Sequence, residues 1–279
     1  MSGGWIPVRT EDGSSTLRHP LHGEACHSLS GAWLQARERY VGPCRLRERA
    51  ARGDRAVLRL LDIGTGLGLN LAAAFEALEG TGIRLEALTF ERDPSVLEAA
   101  LRLLAEDGGV EGALRAVQGE VLALLAGAAS EGSTRAHELG SRGSIRLFLG
   151  DARREILRLP IRPLFDAVFL DPFSPGREPE LWSEPFLREI ALRMAPESRL
   201  STYSCAFRVR RALVRAGLWV GQGPRVGKKA EGTLASPDGN LPPLSDRILR
   251  RLGRAPHPFG IPPRRPFERP TGDRAGPLD

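Results

Sequence analysis

The sequence contains little lysine, little cysteine and no long apolar run. Lysine occurs only at Lys228 and Lys229, so arginine supplies nearly all of the 40 cationic side chains behind a formal net charge of +6. This arginine bias is typical of a GC-rich genome, and it weakens the positive charge as an argument for a nucleic-acid partner. No apolar stretch approaches the roughly 18 residues of a membrane helix. The amino terminus also lacks the pattern of a secretory signal, so we expect a cytoplasmic protein that does not bind membranes.

Cys26, Cys44 and Cys205 include no CxxC pair. Because their number is odd and they are widely spaced, we expect free thiols in a reducing compartment. The five histidines form no ligand pattern with these cysteines, so no metal site is predicted. The composition therefore argues against a disulfide scaffold and a zinc module. An apolar fraction of 41% is sufficient for a folded core.

Short apolar runs alternate with amphipathic stretches in the middle of the chain. The runs are VLRLLDI, IRLEALTF, SIRLFLG, FDAVFLD, SRLSTYS and LWVGQ, and they begin at residues 57, 83, 144, 165, 198 and 218. Strands that alternate with helices predict an α/β fold with a mostly parallel, doubly wound sheet. The run FDAVFL is almost wholly apolar, which predicts a central strand buried on both faces.

The remaining segments set the predicted domain boundaries. We divide the chain into a polar lead-in at 1–56 that packs on the core, a core domain at 57–236 and a tail at 237–279. The tail is rich in proline and arginine and has no apolar period, so disorder is predicted. A basic arm for RNA phosphates is its second interpretation. The segment 127–143 also lacks an apolar period and is predicted to be a surface insertion.

A glycine-rich loop, DIGTGLGLN at 62–70, follows the first apolar run. A P-loop needs a lysine after its glycines, and none is present. A dinucleotide loop needs a third glycine at position 69, where this chain has leucine. Gly64, Gly66 and Gly68 instead resemble motif I of the S-adenosylmethionine-dependent methyltransferases, with Asp62 as the preceding acid. That resemblance implies a Rossmann-like class I fold and S-adenosylmethionine as the cofactor.

Three acids end apolar runs, at the edge where open parallel sheets bind ligands. A carboxylate at Glu91 can accept hydrogen bonds from both ribose hydroxyls; a solvated strand end is the alternative. Asp151, followed by Ala152, resembles the methyltransferase acid that receives the adenine amino group, and it is also a candidate helix N-cap. Asp171 ends the predicted central strand. Together with the glycine loop, the three acids favour a methyltransferase.

The motif DPF, which begins at Asp171, resembles the [DN]-P-P-[YFW] tetrad of amino-group methyltransferases, with its aromatic residue one place early. An amine attacks a methyl carbon only through its lone pair, so a protonated alkylamine must first lose a proton. Asp171 can accept that proton or align the amine. Phe173 or Trp182 can stack on a planar base, and a packing role is an equal alternative for Trp182.

A longer string, FLDPFSPGREPELW at 169–182, resembles the signature FLDGFAPxxNPxxW of the MnmC family. That family comprises the methyltransferase domains of the bacterial tRNA 5-methylaminomethyl-2-thiouridine biosynthesis proteins. The opening at 7–28, the glycine loop and the stretch 200–236 resemble the same family. The form GTGxGxN of its loop adds Thr65 and Asn70 to the predicted cofactor site.

The resemblance implies a reaction: transfer of a methyl group from S-adenosylmethionine to the 5-aminomethyl nitrogen of the wobble uridine in tRNA. The bifunctional members also carry an oxidase domain, and this chain shows no second GxGxxG loop. We therefore expect a free-standing methyltransferase and a separate enzyme that supplies the aminomethyluridine. Lys228 and Lys229 are candidate phosphate contacts, with ordinary surface lysines as the alternative. Pro172 and Glu178 replace a family glycine and asparagine, which leaves the substrate more open than the reaction type.

Three other functions are compatible with the sequence. A methyltransferase of the same fold could act on another amine, either a nucleobase or a small molecule. An aminopropyltransferase shares the fold, but its usual GGG loop is absent. A non-catalytic RNA-binding module is the alternative from another class. The intact glycine loop and the strand-end acids argue against that module, and a cofactor-binding measurement distinguishes it from an enzyme.

Overall fold

The computed structural model describes residues 4–106, 112–227 and 231–252, and these residues build one eight-stranded sheet and one two-stranded sheet. The strands are β1 Ile6–Arg9, β2 Ser15–Arg18, β3 Val57–Ile63, β4 Arg84–Glu91, β5 Ala136–Glu138, β6 Gly143–Leu149, β7 Phe165–Leu170, β8 Met194–Thr202, β9 Trp219–Gln222 and β10 Thr233–Ser236. The α-helices are α1 Ala32–Gln35, α2 Leu46–Ala50, α3 Leu69–Ala77, α4 Ser95–Glu106, α5 Ala113–Glu131, α6 Ala152–Arg158, α7 Glu184–Ala191, α8 Phe207–Arg215 and α9 Asp246–Arg251. A π-helical segment spans Ala36–Val41, and 3₁₀ turns span Gly140–Arg142 and Pro179–Trp182.

The large sheet has the strand order β5-β6-β4-β3-β7-β8-β10-β9. Its five central strands, from β6 to β8 in that order, pair in parallel. At one edge β5 pairs antiparallel with β6. At the other edge β10 pairs antiparallel with β8, and β9 pairs antiparallel with β10. The predicted mostly parallel, Rossmann-like fold is therefore confirmed, with the antiparallel pairings confined to the two edges.

Two apolar layers cover the sheet, because successive side chains of a strand point to opposite faces. On β7, Phe169 packs into the layer that contains α3, α4 and α5, whereas Val168 and Leu170 pack into the layer of α6, α7 and α8. All six residues of β7 are buried. The prediction of a central strand at FDAVFL is thus confirmed, and it places Asp171 at the centre of the sheet's carboxyl edge.

The segment 127–143 lies mostly at the surface, as predicted, but it is not an irregular insertion. The first part of this segment completes α5, and β5 and a 3₁₀ turn follow it before β6 begins. Helix α5 packs Val121, Leu122 and Leu125 into the core, but its last turns are mostly alanine and glycine, which gives a weak apolar period. The helix ends where Gly132 adopts a left-handed conformation with φ of 59°.

The predicted tail begins too early, because residues 237–244 make hydrogen bonds and buried contacts with the rest of the fold. The carbonyl of Asn240 accepts a hydrogen bond of 2.6 Å from Arg199. The Gln222 amide donates to the carbonyl of Pro242 at 2.8 Å, and Leu244 is only 4% exposed. Helix α9 follows. The rest of the predicted tail, 253–279, lies outside the described residues.

Candidate active site

A cavity of about 560 Å³ opens at the carboxyl ends of the central strands. Its volume is in the range of small-molecule and cofactor sites. Among the predicted site residues, its lining contains Gly64, Thr65, Gly66, Glu91, Asp151, Ala152, Asp171 and Phe173. These residues come from four loops that follow β3, β4, β6 and β7. Parallel strands carry their carboxyl ends to one edge, which brings the separate sequence motifs together.

The glycines of the loop serve different purposes. Gly64 has a φ of 94°, and a Cβ there would lie 2.7 Å from the carbonyl oxygen of Asp171. The loop therefore runs directly against the strand end that carries this acid. At Gly66, with a φ of 51°, a Cβ would meet no atom within 4 Å. A side chain at Gly66 would project from the cavity wall, so glycine leaves that space open for a ligand.

Glu91 is held by three backbone amides beside this loop. Its Oε2 accepts a hydrogen bond of 2.9 Å from Gly66, and its Oε1 accepts from Arg92 at 2.8 Å and Asp93 at 2.9 Å. Burial raises the pKa of Glu91 to about 7, against the lowering effect of these amides. The carboxylate is thus fixed in the cavity wall, where a ligand's hydroxyl groups can donate to it.

Asp151 both caps α6 and lines the cavity. Its Oδ1 accepts a hydrogen bond of 3.0 Å from the Arg153 amide, and the Arg153 guanidinium lies against the same carboxylate. The hydrogen bond from the Arg153 side chain is the main reason that the pKa of Asp151 lies below its usual value. The carboxylate therefore stays ionised and accepts hydrogen bonds. Its two predicted interpretations, N-cap and ligand contact, are compatible.

Asp171 is the meeting point of three side-chain donors. Tyr40 donates its hydroxyl to Oδ1, Asn70 donates its amide to Oδ2 at 2.9 Å, and Gln35 lies 3.5 Å from Oδ2 through its Nε2. Tyr40 is fully buried, and this burial raises its pKa well above the usual value, so the phenol remains a donor. Two of these three donors belong to the lead-in, which completes the site.

Phe173 lies at the cavity wall within a cluster of rings. His22 stacks on it with 5.2 Å between ring centroids and 12° between planes, and His19 meets it edge-on at 5.3 Å. Glu178 accepts a hydrogen bond of 3.0 Å from the Phe173 amide. Phe173 is therefore a supported aromatic residue near Asp171, although the protein already provides two stacked partners, His22 and Trp5.

The assignment of Trp182 to substrate contact is wrong. Its side chain is 4% exposed, lies outside the cavity lining and packs edge-on against Tyr203 with 5.7 Å between centroids. Its indole donates to the Phe173 carbonyl at 2.9 Å. The equal alternative, a packing role, is what the structure shows. Trp182 supports the loop that carries Phe173 from beneath.

Three predicted cofactor residues also support the site without lining it. Asp62 is fully buried, accepts a hydrogen bond of 2.7 Å from Thr89, and has a pKa raised well above its usual value by burial. A Cβ at Gly68 would lie 3.2 Å from Val121 of α5, so this glycine permits close helix packing. Asn70 is turned toward Asp171. The candidate phosphate contacts Lys228 and Lys229 lie outside the described residues.

Some cavity residues were not predicted. Glu24, Cys26 and Tyr203 line the cavity, and Glu24 accepts a hydrogen bond of 2.6 Å from Ser174. The Tyr203 hydroxyl donates to the Pro172 carbonyl at 2.9 Å. For the cavity residues before position 56, the only signal in the sequence was the resemblance of the lead-in to the MnmC family. No spacing rule connects them to a strand end more than a hundred residues away.

Within the ranges that the structure describes, no group of three or more histidine, cysteine, aspartate or glutamate side chains could hold a metal ion. None of the helices in these ranges is both long enough and apolar enough to cross a membrane.

Comparison with known proteins identifies relatives of the chain. Residues 120–238 match a family model described as S-adenosyl-L-methionine-dependent methyltransferase. The tRNA 5-methylaminomethyl-2-thiouridine biosynthesis bifunctional protein MnmC of Pseudomonas aeruginosa is 34% identical over 225 residues, which cover 78% of this chain and 33% of that protein. The protein of the same name from Paracidovorax citrulli is 30% identical, over 96% of this chain and 38% of that protein. This chain therefore spans about a third of the length of the curated relatives it matches.

The crystal structure of MnmC2 from Aquifex aeolicus superposes with a TM-score of 0.76 at 34% identity. The match covers 94% of this chain and 79% of that chain, so it includes both the lead-in and the sheet. This similarity extends over nearly the whole described fold, whereas the curated bifunctional proteins are each about three times longer than their matched part.

Proposed function

The chain belongs to the MnmC2 family of methyltransferases that use S-adenosylmethionine, and from this premise we propose that it methylates the 5-aminomethyl nitrogen of the wobble uridine in tRNA. The acceptor nucleoside would be 5-aminomethyl-2-thiouridine. The name of the MnmC relatives refers to 5-methylaminomethyl-2-thiouridine in tRNA, which is the product of this transfer. The observation that carries the proposal is the position of the Asp171 carboxylate, held by three donors where the cavity meets the glycine loop.

The cavity residues fit the cofactor. Glu91 would accept hydrogen bonds from the two ribose hydroxyls. Because Gly64 and Gly66 have no side chains, the backbone of this loop would pass close to the cofactor. Asp151 would receive the adenine amino group beside Ala152. When bound, S-adenosylmethionine supplies an electrophilic methyl group on a positively charged sulfur. Glu91 and Asp151, two acids in the cavity wall, suit a ligand that carries this positive charge.

Asp171 would act on the acceptor amine. A protonated aminomethyl group has no lone pair for attack, and a carboxylate at hydrogen-bond distance can orient it and take its proton. Tyr40 and Asn70 fix both oxygens of this carboxylate, so its position does not depend on the substrate. The proton would pass from the ammonium group to Asp171, and the neutral nitrogen would then be aligned with the methyl carbon.

The two departures from the family signature are consistent with this acceptor. Pro172 accepts a hydrogen bond from Tyr203 through its carbonyl, and Glu178 accepts one from the Phe173 amide. The Glu178 side chain therefore shapes the loop after β7, whereas the contact at Pro172 is made by a backbone carbonyl that glycine would also provide. Glu178 thus has a local role that does not require a different substrate.

Nucleoside mass spectrometry of tRNA tests the function in cells. A strain without this protein should accumulate the unmethylated 5-aminomethyl nucleoside, because the proposed separate enzyme continues to supply it. Re-expression of the wild-type chain should convert it to the 5-methylaminomethyl form, whereas the Asp171→Ala variant should not. An unchanged nucleoside profile in the deletion strain would contradict the proposal and favour another amine as the acceptor.

A further inference from the structure

Arginine is concentrated on α8 and α9, which together form a surface that we name the basic face. Its six members are all exposed: Arg208, Arg211, Arg215, Arg247, Arg250 and Arg251. None of the six forms an ion pair with a carboxylate in the described ranges, and Asp246 is the single acid in the sequence of the two helices. Exposed arginines elsewhere commonly do pair, as Arg52 does with Glu197 and Arg84 with Glu138.

The geometry of α8 explains this surface. Val209 and Leu213 are fully buried in the core, and the spacing of Arg208, Arg211 and Arg215 places these three side chains along the solvent-facing side. Positive charges at such spacing repel each other and weaken an isolated helix. The core contacts of the helix hold the three guanidinium groups together despite that cost.

Phe207 links the two helices of the basic face. The Arg251 guanidinium of α9 lies 4.2 Å above the Phe207 ring, and that of Arg211 lies 6.0 Å from the same ring. These cation–π contacts hold charges from both helices at the start of α8. The arginines of the two helices therefore meet at this ring, where α9 ends and α8 begins.

The start of α8 lies close to the candidate active-site cavity along the chain. Tyr203 lines the cavity, and α8 begins only four residues later at Phe207. Four extended residues span at most about 14 Å, so the first turn of α8 lies within this distance of Tyr203. A ligand that is bound in the cavity through one group and extends out of it can reach the arginines of α8.

We propose that the basic face binds the phosphate backbone of an RNA strand that leads into the cavity. Guanidinium groups match phosphate oxygens in charge and in hydrogen-bond geometry, and a row of them suits a polymer with regularly spaced phosphates. Phe207, the aromatic residue among them, is only half-buried but is covered by Arg251, so its ring is already engaged by a guanidinium group. The identity of this RNA as tRNA rests on the proposed function; the binding surface does not.

Fluorescence anisotropy with labelled, unmodified tRNA tests the surface. The two test proteins are Arg208→Gln with Arg211→Gln, and Arg247→Gln with Arg250→Gln. The matched control is Arg146→Gln with Arg162→Gln, which removes two exposed arginines that form no ion pair within the described ranges and lie outside the basic face. Each test protein should bind tRNA at least about tenfold more weakly than the wild type. The slope of log K against log salt concentration should be shallower by roughly one to two. The control should bind within twofold of the wild type.

A second measurement separates this surface from the proposed reaction. Methyl transfer to free 5-aminomethyluridine, which has no phosphate backbone, should proceed equally well in the wild type and both test proteins. If the wild type methylates neither this nucleoside nor tRNA, while the test proteins still lose RNA binding, the proposed reaction fails and the surface stands. Unchanged tRNA affinity and salt dependence in both test proteins would overturn the proposed RNA-binding role of the basic face. That role would also be overturned if the test proteins lost binding to phosphatidylglycerol vesicles but kept their binding to RNA.

Discussion

Tyr40, in the π-helical segment of the lead-in, donates a hydrogen bond to Asp171, at the end of the central strand 131 residues later. The hydroxyl lies in the apolar interior, where an unpaired carboxylate oxygen would be costly. The lead-in is thus part of the active site in a direct sense. It supplies a donor that fixes the carboxylate at the position where the acceptor amine would bind.

Tyr40→Phe should lower kcat without changing cofactor affinity. A hydrogen bond to a charged group contributes about 1.5–3 kcal/mol, so we expect a loss of roughly 10- to 100-fold in kcat if the bond is needed to place Asp171. Steady-state kinetics and calorimetry with S-adenosylmethionine measure the two effects. Tyr203→Phe is the matched control, because its hydroxyl donates to the Pro172 carbonyl instead, and its loss should be smaller. A kcat within twofold of wild type for Tyr40→Phe would show that the bond is dispensable.

Cofactor affinity should depend on pH through Glu91. The pKa of this carboxyl is about 7 because of burial, and only its ionised form accepts hydrogen bonds from both ribose hydroxyls. Protonation below pH 7 therefore opposes binding, and a group with this pKa raises Kd about tenfold between pH 8 and pH 6. Calorimetric titrations at several pH values test this directly.

Two variants of Glu91 serve as controls for that titration. Glu91→Gln cannot ionise, so the part of the pH dependence that belongs to this residue should disappear. Glu91→Ala should weaken binding by about 1.5–3 kcal/mol through the loss of charge-assisted hydrogen bonds. Wild-type affinity in the alanine variant, or the same pH dependence in the glutamine variant, would refute the ribose role.

Gly64→Ala should destabilise the protein more than Gly66→Ala. Both positions have a positive φ, but a Cβ at Gly64 would approach the Asp171 carbonyl oxygen to 2.7 Å, whereas one at Gly66 meets nothing within 4 Å. We expect a loss of about 2–3 kcal/mol at Gly64 and about 1 kcal/mol at Gly66. Urea denaturation measures both. Equal losses would mean that the loop can move away from Asp171 at no cost.

Leu244→Ala tests the packing of the segment after β10. Its side chain is buried, so truncation should cost about 2–3 kcal/mol of the free energy of unfolding. Leu21→Ala is the control, since Leu21 is 86% exposed and its truncation should leave stability almost unchanged. Thermal unfolding of the full chain compares them. A loss below 0.5 kcal/mol, the usual scatter for surface positions, would indicate that this segment contributes little to the fold.

The sequence was sufficient to predict the sheet and the acids at its carboxyl edge. An all-apolar run identifies a central strand, and parallel strands necessarily carry their ends to one edge, which brings Glu91, Asp151 and Asp171 together. Whether a side chain near the carboxyl edge faces the cavity or the core is not encoded in this way. Asp62, near the end of β3, and Trp182, in a 3₁₀ turn, therefore appeared to be ligand contacts, although both are buried beneath the site.

Contacts between distant segments were also beyond the sequence pattern. Tyr40 and Gln35 reach Asp171 because the lead-in folds back over the sheet, and no local period records that path. The end of helix α5 was interpreted as a surface insertion for a different reason. Its last turns consist mostly of alanine and glycine, so no apolar helical face is visible in the sequence. For the lead-in, the family resemblance was a more sensitive signal than the pattern of apolar residues.

The decisive measurement for the proposed reaction is methyl transfer in vitro to tRNA that carries 5-aminomethyluridine at the wobble position. We expect the wild type to convert this nucleoside to 5-methylaminomethyluridine, as detected by mass spectrometry. We expect Asp171→Ala to form no product while binding S-adenosylmethionine within about tenfold of wild type, because Asp171 acts on the amine. Unchanged turnover in Asp171→Ala, or no product from a wild type that binds the cofactor, would refute the proposed reaction.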